Sequence, residues 1–109
     1  MLALTRTAEI LLDSLLADYE RKNRAEAQLK LLKNLEEVSE EVLFGNPRYL
    51  SAPRPFPRLA ARGYNWTLHE DYWFAFTKDA IPAIVYVFYA SARMPGLIQM
   101  AERKVAQSK

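Results

Sequence analysis

The stretch between residues 72 and 91 constrains the fold of this chain more than any other part of the sequence. It contains two segments, Tyr72–Thr77 and Ala83–Tyr89, that are rich in aromatic and β-branched residues, a composition typical of buried β-strands. Pro82 lies between them and has no N–H to donate, which places it in the turn or at the first strand position. Because the connection is short, the two strands are predicted to pair antiparallel.

The second of these strands is apolar on both faces. Alternation along the strand places Ile84, Tyr86 and Phe88 on one face and Val85, Val87 and Tyr89 on the other. An apolar face must be covered by another layer of the protein. The sequence therefore predicts that helices near the N-terminus pack against this sheet.

Two amphipathic helices are predicted within residues 7–43, because apolar residues recur there at spacings of three and four. Thr7 is the predicted N-cap of the first helix. Asn23 is the predicted N-cap of the second, with Glu26 completing a capping box. The link between the helices is short, which predicts an αα-hairpin. The predicted apolar stripe of the second helix consists of Ala25, Leu29, Leu32, Leu35, Val38 and Val42.

The remaining segments complete one predicted domain that spans all 109 residues. Residues 1–5 are predicted to form a short strand, and residues 44–57 a proline-rich connection. Residues 58–91 are predicted to form the antiparallel sheet, and residues 94–109 a C-terminal tail or short helix. The predicted fold is therefore α+β, with a helical hairpin packed on an antiparallel sheet of three to four strands.

The net charge of +2 is unevenly distributed along the chain. Residues 1–43 carry 6 basic and 9 acidic side chains, a net charge of −3, whereas residues 44–109 carry 9 basic and 4 acidic, a net charge of +5. A basic sheet half is suited to contact nucleic acid or an acidic partner. An ordinary solvated surface on a mildly basic protein is the simpler interpretation.

The sequence contains no cysteine, which excludes disulfides and thiolate metal sites. One histidine with scattered carboxylates predicts no transition-metal site, and the three glycines form no phosphate-binding loop. We therefore expect neither a metal nor a cofactor. No signal peptide is predicted at the start, and no apolar run reaches the roughly 18–20 residues of a membrane span. We expect a cytoplasmic protein without a membrane partner.

Four segments of the chain resemble consecutive parts of one known family. Leu4–Glu9 resembles the end of its first strand and the start of its first helix. Tyr64–Trp66 resembles its second strand, and Tyr72–Asp79 its third strand with an acidic turn. Ile84–Arg93 resembles its last strand and the polar, small and Arg-bearing segment that follows. In this order, over about residues 2–95, the chain resembles the RelE/ParE superfamily, the toxins of bacterial type II toxin–antitoxin (plasmid stabilisation) systems.

The resemblance implies a protein that inhibits a central process until a cognate antitoxin covers it. ParE-like members bind and trap DNA gyrase without cutting RNA, whereas RelE-like members cut mRNA in the ribosomal A site. The resemblance also implies a homodimer or a heterotetramer with the antitoxin. A domain that keeps the fold as a non-toxic interaction module is the third hypothesis.

Cutting RNA at neutral pH requires a group that activates the 2′-OH, cations for the developing phosphate charge and a donor for the leaving oxygen. In RelE-like members, Lys and Arg on the central strands and a Tyr near the C-terminus supply these groups. Six positions offer suitable side chains: Arg58, Arg62, His69, Lys78, Tyr89 and Arg93. The candidates for catalysis are Arg62, Arg93, Tyr89 and His69. The candidates for contact with the target or with phosphate are Arg58, Arg62, Lys78 and Arg93.

Among these positions Arg62 and Arg93 are preferred, because they flank the predicted sheet at its entrance and exit. His69 lies beside two acidic residues in a predicted turn, where a surface position is expected. The RelE-type strand carries paired lysines, but the segment from Thr67 to Thr77 contains none. This absence favours the ParE-like function. The aromatic residues of the strands are interpreted as core rather than as a platform for RNA bases.

Overall fold

Three helices and a three-stranded sheet make up the part of the chain described by the computed structural model, residues 1–50, 61–90 and 94–107. The helices are α1 (Arg6–Arg21), α2 (Ala25–Phe44) and α3 (Met94–Gln107). The strands are β1 (Asn65–His69), β2 (Tyr72–Phe76) and β3 (Ile84–Tyr89). This order confirms the predicted α+β fold, in which a helical hairpin precedes an antiparallel sheet and a short C-terminal helix.

The sheet has the strand order β1-β2-β3, and both pairs of neighbours are antiparallel. Phe74 lies opposite Thr67 on β1 and Val87 on β3, so these three side chains share one face. The predicted hairpin of β2 and β3 is confirmed. Pro82 lies in its connection, ahead of Ile84, where β3 begins.

Single-residue bridges extend the sheet at both edges. Leu4 pairs parallel with Ile84, and the N–H of Thr5 donates to the carbonyl oxygen of Ile84 at 2.9 Å. Leu50 pairs antiparallel with Trp66, to whose carbonyl oxygen its N–H donates at 2.7 Å. The strand predicted at the start of the chain is therefore one bridge, and it runs parallel to β3.

Two predicted segments are described only in part. Residues 51–57 of the connection predicted over residues 44–57 lie outside the described residues. So do the first three residues of the region predicted as sheet. Of the C-terminal segment predicted over residues 94–109, residues 94–107 form α3, which agrees with the predicted short helix.

Helix α1 begins earlier than the sequence pattern predicted. The prediction that Thr7 is its N-cap is wrong, because the hydroxyl of Thr5 accepts a hydrogen bond from the N–H of Ala8 at 3.2 Å. Thr5 has an extended backbone, with φ −68° and ψ 165°, since the chain is leaving its bridge with β3. The tertiary pairing of Leu4 with Ile84 thus decides which threonine caps the helix.

Asn23 ends α1 instead of starting α2, so the predicted capping box is wrong. Its φ of 54° lies in the left-handed region, which asparagine tolerates better than most side chains. The N–H of Asn23 donates to Glu20 O at 3.1 Å, and the N–H of Arg24 donates to Tyr19 O at 2.8 Å. These two bonds form a Schellman motif. Arg24 is the N-cap of α2 and makes no side-chain capping bond.

Helix α2 buries only part of the predicted stripe. Leu35 and Val38 are buried as predicted, and Val42 is partly buried. The buried residues of the helix are Leu31, Asn34, Leu35, Val38 and Ser39. Leu29 and Leu32, which belong to the predicted stripe, are exposed. One buried polar residue has a clear role, because the hydroxyl of Ser39 accepts a hydrogen bond from the N–H of Leu2 at 3.2 Å. The helix is therefore rotated so that two polar side chains point inward and two leucines outward.

Helices reach both faces of the sheet. Helix α1 packs on β3, and the hydroxyls of Tyr19 and Tyr72 are hydrogen-bonded on the face that also carries Phe74. On the opposite face Glu102 of α3 accepts a hydrogen bond from the hydroxyl of Tyr86 at 3.2 Å. The prediction that the N-terminal helices supply the cover is therefore incomplete. Helix α3, which packs along α1, also contributes.

The aromatic residues of the strands form the core. Buried side chains include Trp66, Tyr72, Phe74, Phe76, Tyr86 and Phe88. The ring centre of Trp66 lies 5.9 Å from those of Tyr86 and Phe88. Their burial confirms the interpretation as core. Among the described helices, none combines the length and apolar character needed to cross a membrane.

Candidate functional site

The candidate residues from the sequence occupy separate places on the described fold. Arg62 lies in the turn before β1, and His69 ends β1. Lys78 lies in the connection between β2 and β3, and Tyr89 ends β3. His69 and Tyr89 both lie beside Tyr72, one on each neighbouring strand, whereas Arg62 and Lys78 lie elsewhere.

Arg62 belongs to a hydrogen-bonded cluster with Tyr86 and Glu102. Its Nη1 donates to the hydroxyl of Tyr86 and to Oε1 of Glu102, and Tyr86 donates to the same carboxylate oxygen at 3.2 Å. Gly63 follows with a φ of 73°, a conformation that glycine adopts without strain, and it turns the chain towards β1. The cluster joins this turn to β3 and α3, so the charge of Arg62 is paired with Glu102.

The electrostatics of this cluster favour a structural role. The hydrogen bond to Glu102 raises the pKa of Arg62 above its usual value. Burial raises the pKa of Tyr86 to about 12, although the neighbouring Arg62 opposes this shift. A phenol with that pKa stays protonated at neutral pH and donates a hydrogen bond, so it does not act as a general base.

Tyr86→Phe is expected to reduce the alkaline loss of stability between about pH 10 and pH 12. Tyr86 has a pKa of 10.0 when unperturbed and about 12 in the folded protein, so the unfolded chain releases this proton first as the pH rises. Stability from this group is therefore complete below pH 10 and is lost as the pH approaches 12. Urea unfolding at several pH values measures how steeply the free energy of unfolding falls with pH.

The control for this experiment is Val85→Ala, which also truncates a buried side chain of β3 but removes no titrating group. It is expected to lower stability by a similar amount at every pH. A Tyr86→Phe variant with the same alkaline slope as the unchanged protein would contradict the assignment.

His69 is the last residue of β1, so the prediction that it lies in a surface turn is wrong. It pairs with Tyr72 across the hairpin, and its side chain is only 24% exposed. Its Nε2 lies 3.4 Å from Oε1 of Glu37 on α2. The turn begins at Glu70, which has a φ of 53°. Because His69 and Tyr72 share a face of the sheet, the imidazole lies on the side opposite Tyr86.

The turn after His69 carries a group of charged side chains. Nζ of Lys30 on α2 lies 3.9 Å from Oε2 of Glu70 and 3.7 Å from Oδ2 of Asp71. Glu37, His69 and Glu70 each offer a potential metal-ligand atom, and these atoms lie within 4.8 Å of one another. The sequence interpretation missed this cluster because Glu37 and His69 are 32 residues apart in the chain. The adjacency of His69 and Glu70 was the signal available from the sequence.

Lys78 is exposed in the connection between β2 and β3, and it forms no ion pair with any residue that the structure describes. The preceding Thr77 closes this connection, because its hydroxyl accepts a hydrogen bond from the N–H of Ala83 at 2.9 Å. The predicted role of Lys78 in contacting a target stays a prediction. Arg58 and Arg93 lie outside the described residues.

Tyr89 lines a groove of about 660 Å³ beside α1 and the start of α2. Tyr19 and Tyr72 also line this groove, and the rings of Tyr72 and Tyr89 meet edge to face with their centres 5.5 Å apart. Burial raises the pKa of Tyr72 above its usual value, so its hydroxyl stays protonated. We call this the tyrosine groove.

The rim of the tyrosine groove is charged. Its ionic side chains are Asp18, Arg21, Lys22, Arg24, Glu26, Lys30 and Asp71. Asp18 pairs with Arg21 at 2.7 Å and with Lys22 at 3.0 Å. The guanidinium carbon of Arg24 lies 5.6 Å from the centre of the Tyr19 ring, within the range of a cation–π contact. An aromatic surface with a rim of both charges suits a peptide better than a polyanion.

A second surface lies on the outward side of α2. We define the outer α2 face by Leu29, Leu32, Leu43 and Phe44, together with the charged residues Lys33, Glu36 and Glu40 between them. These residues lie on one side of the helix at its period of 3.6, and Leu29 and Phe44 are 68% and 85% exposed. Large apolar side chains grouped on a surface are typical of an interaction site.

Comparison of the chain with protein-family models, with curated proteins and with solved structures found no match. Within the described residues, the features that bear on function are the paired Arg62 cluster, the His69 cluster, the tyrosine groove and the outer α2 face.

Proposed function

We propose that this chain is the toxin of a type II toxin–antitoxin system and that it inhibits DNA gyrase by binding it, as ParE-like proteins do. The order of elements supports this proposal. A bridge at Leu4, the α1–α2 hairpin and three antiparallel strands follow one another in the order of the RelE/ParE superfamily. The proposed location is the cytoplasm, where gyrase acts.

Protein binding is favoured over RNA cleavage because the described catalytic candidates do not form one group. Cleavage requires an acid, a base and a cation around one phosphate, within hydrogen-bond reach of the reacting oxygens. Arg62 is paired with Glu102 and Tyr86 on one face of the sheet, whereas His69 faces α2 on the other. The described residues therefore do not assemble such a set.

The outer α2 face supports a protein partner. A partner helix or extended segment laid along it would remove Leu29, Leu32, Leu43 and Phe44 from water, and each fully buried leucine or phenylalanine contributes about 1.5–3 kcal/mol. We assign this face to the antitoxin, because the resemblance implies that the antitoxin covers the helical hairpin and the sheet.

The charges of α2 indicate the kind of antitoxin segment that fits. Glu40 and Glu41 lie near the helix C-terminus with no basic residue in the last turn, although the helix dipole disfavours acidic residues there. Lys or Arg from the antitoxin would neutralise them. Two copies of this face packed antiparallel about Glu36 would bring Lys33 of one copy near Glu40 of the other, so its charges permit a homodimer as well as an antitoxin complex. The proposed assembly is a homodimer or a heterotetramer with the antitoxin.

Inducible expression of the full chain in bacteria tests the function. We expect growth arrest with filamentation and a DNA-damage response, and inhibition of supercoiling when the purified protein is added to gyrase. The proposal predicts that a gene for a small antitoxin lies beside this one, and co-expression of its product is expected to restore growth. A Leu32→Asp/Phe44→Asp variant should stay toxic and lose this rescue, whereas Ile81→Asp, at an exposed apolar site off α2, should be rescued.

Normal growth with folded protein at the same level would overturn the toxin proposal and leave a non-toxic interaction domain. Growth arrest with mRNA cut at codon boundaries, and no effect on gyrase, would assign the RelE-like function instead. Full rescue of the α2 variant would overturn the assignment of the outer α2 face to the antitoxin.

A further inference from the structure

A carboxylate–imidazole cluster connects the hairpin to the sheet at a place that the proposed function does not use. Glu37 comes from the second half of α2, His69 from the end of β1 and Glu70 from the turn that follows. One potential ligand atom from each residue lies within 4.8 Å of the other two. This cluster lies on the opposite side of the sheet from Arg62 and borders the outer α2 face, because Glu37 follows Glu36.

The spacing of the first two ligand atoms is compatible with a tetrahedral metal ion. Nε2 of His69 and Oε1 of Glu37 are 3.4 Å apart, the length of a long hydrogen bond. Zinc binds imidazole nitrogen at about 2.0–2.1 Å and carboxylate oxygen at about 2.0–2.2 Å. Two such bonds at a tetrahedral angle separate the ligand atoms by about 3.4 Å.

The backbone restricts two of the three ligands. His69 is held by its ladder pairing with Tyr72 and has a side chain that is three-quarters buried. Glu37 lies in the middle of a 20-residue helix. Glu70 is more exposed, and Nζ of Lys30 lies 3.9 Å from its Oε2. Its carboxylate is therefore the ligand that moves to complete the set.

The charges around the cluster favour a cation. Glu37, Glu70 and the neighbouring Asp71 are carboxylates, and Lys30 faces the last two at 3.9 Å and 3.7 Å. Three acidic groups against one ammonium leave a negative potential at this position. An imidazole nitrogen among the ligands selects zinc or another late transition metal over magnesium and calcium, which prefer oxygen ligands.

We propose that Glu37, His69 and Glu70 bind a Zn²⁺ ion, with water as the fourth ligand, and that the ion fastens α2 to the β1–β2 turn. The ion would link two elements that are distant in the sequence, because Glu37 and His69 are 32 residues apart. Lys30 competes with the metal for the same carboxylate. The proposal does not depend on toxin activity.

Titration of the metal-free full-length protein tests the site. Zn²⁺ is expected to raise the melting temperature in a saturable way. Co²⁺, used as a spectroscopic probe, is expected to give the visible absorption of a tetrahedral N/O site. Glu37→Gln and His69→Gln should each weaken binding at least about tenfold, since even the loss of groups that only support a ligand costs 10–100-fold. Lys30→Met should tighten binding, because it removes the competing cation.

The matched control is Glu40→Gln, an exposed acid that is farther along α2 and outside the cluster. It should bind Zn²⁺ as the unchanged protein does, and circular dichroism confirms that each variant is folded. Equal loss of binding in Glu40→Gln and Glu37→Gln would mean a diffuse acidic surface and overturn the site. Unchanged binding in His69→Gln, weaker binding in Lys30→Met, or no saturable shift would overturn it as well.

Discussion

Phe74→Ala is expected to lower the free energy of unfolding by about 3–5 kcal/mol, the usual cost of deleting a fully buried phenylalanine. Phe74 lies in the middle of the central strand and is 0% exposed. Its loss removes packing against Thr67 and Val87, which flank it on the two neighbouring strands. Since domains of this size are stable by about 5–15 kcal/mol, the variant should unfold at much lower urea concentration.

The control for Phe74 is Ile81→Ala, another large-to-small substitution at a side chain that is 77% exposed in the β2–β3 connection. Its effect on the free energy of unfolding should stay within about 0.5 kcal/mol. Urea denaturation followed by circular dichroism measures both variants. A cost below about 1 kcal/mol for Phe74→Ala would contradict the placement of β2 at the centre of the core.

Asn34→Leu is expected to stabilise the protein and to raise the free energy of unfolding by about 1–3 kcal/mol. This is the cost of burying a polar group that has no hydrogen-bond partner. Asn34 is 1% exposed, and neither atom of its amide has a hydrogen-bond partner within the described part of the chain. Leucine has the same branching and heavy-atom count. The melting temperature should rise by roughly 4 °C for each kcal/mol gained.

Ser39→Ala is the matched control, because Ser39 lies on the same buried side of α2 but has a partner. Its hydroxyl accepts the N–H of Leu2 at 3.2 Å, so its removal strands a buried donor and should destabilise by about 1–3 kcal/mol. Thermal unfolding of the two variants side by side separates an unsatisfied polar group from a satisfied one. Destabilisation by Asn34→Leu would show that the amide makes an interaction that stabilises the fold.

Local patterns were sufficient to locate the elements of this fold. The helices follow from the spacing of apolar residues, and the β2–β3 hairpin from two aromatic and β-branched segments around Pro82. The burial of Phe74 and Trp66 also followed, because a sheet that is apolar on both faces needs cover. The periodicity of apolar residues depends only on nearby positions and can therefore be recognised in the sequence.

The two capping details that failed have different causes. Thr5 replaces Thr7 as the cap because Leu4 bridges to β3, a contact between distant residues. Asn23 ends α1 because it adopts a left-handed conformation and closes a local Schellman motif.

Packing around α2 decided which of its faces is buried. The stripe containing Leu29 was the more apolar one, yet Asn34 and Ser39 are inside and Leu29 is outside. The orientation of a helix about its axis depends on the shape of the surface it meets, which includes Leu2 and the sheet. The outer α2 face, which is the proposed antitoxin surface, could therefore not be predicted from the sequence.

The candidate sites depend most strongly on the folded chain. Arg62 meets Glu102 across 40 residues, and Glu37 meets His69 across 32. Residue types alone had made Arg62 and His69 candidates for one catalytic centre. The sheet separates them, because Arg62 in the turn before β1 bonds to Tyr86 on one face, whereas His69 shares the other face with Tyr72. This relation exists only once the strands have paired.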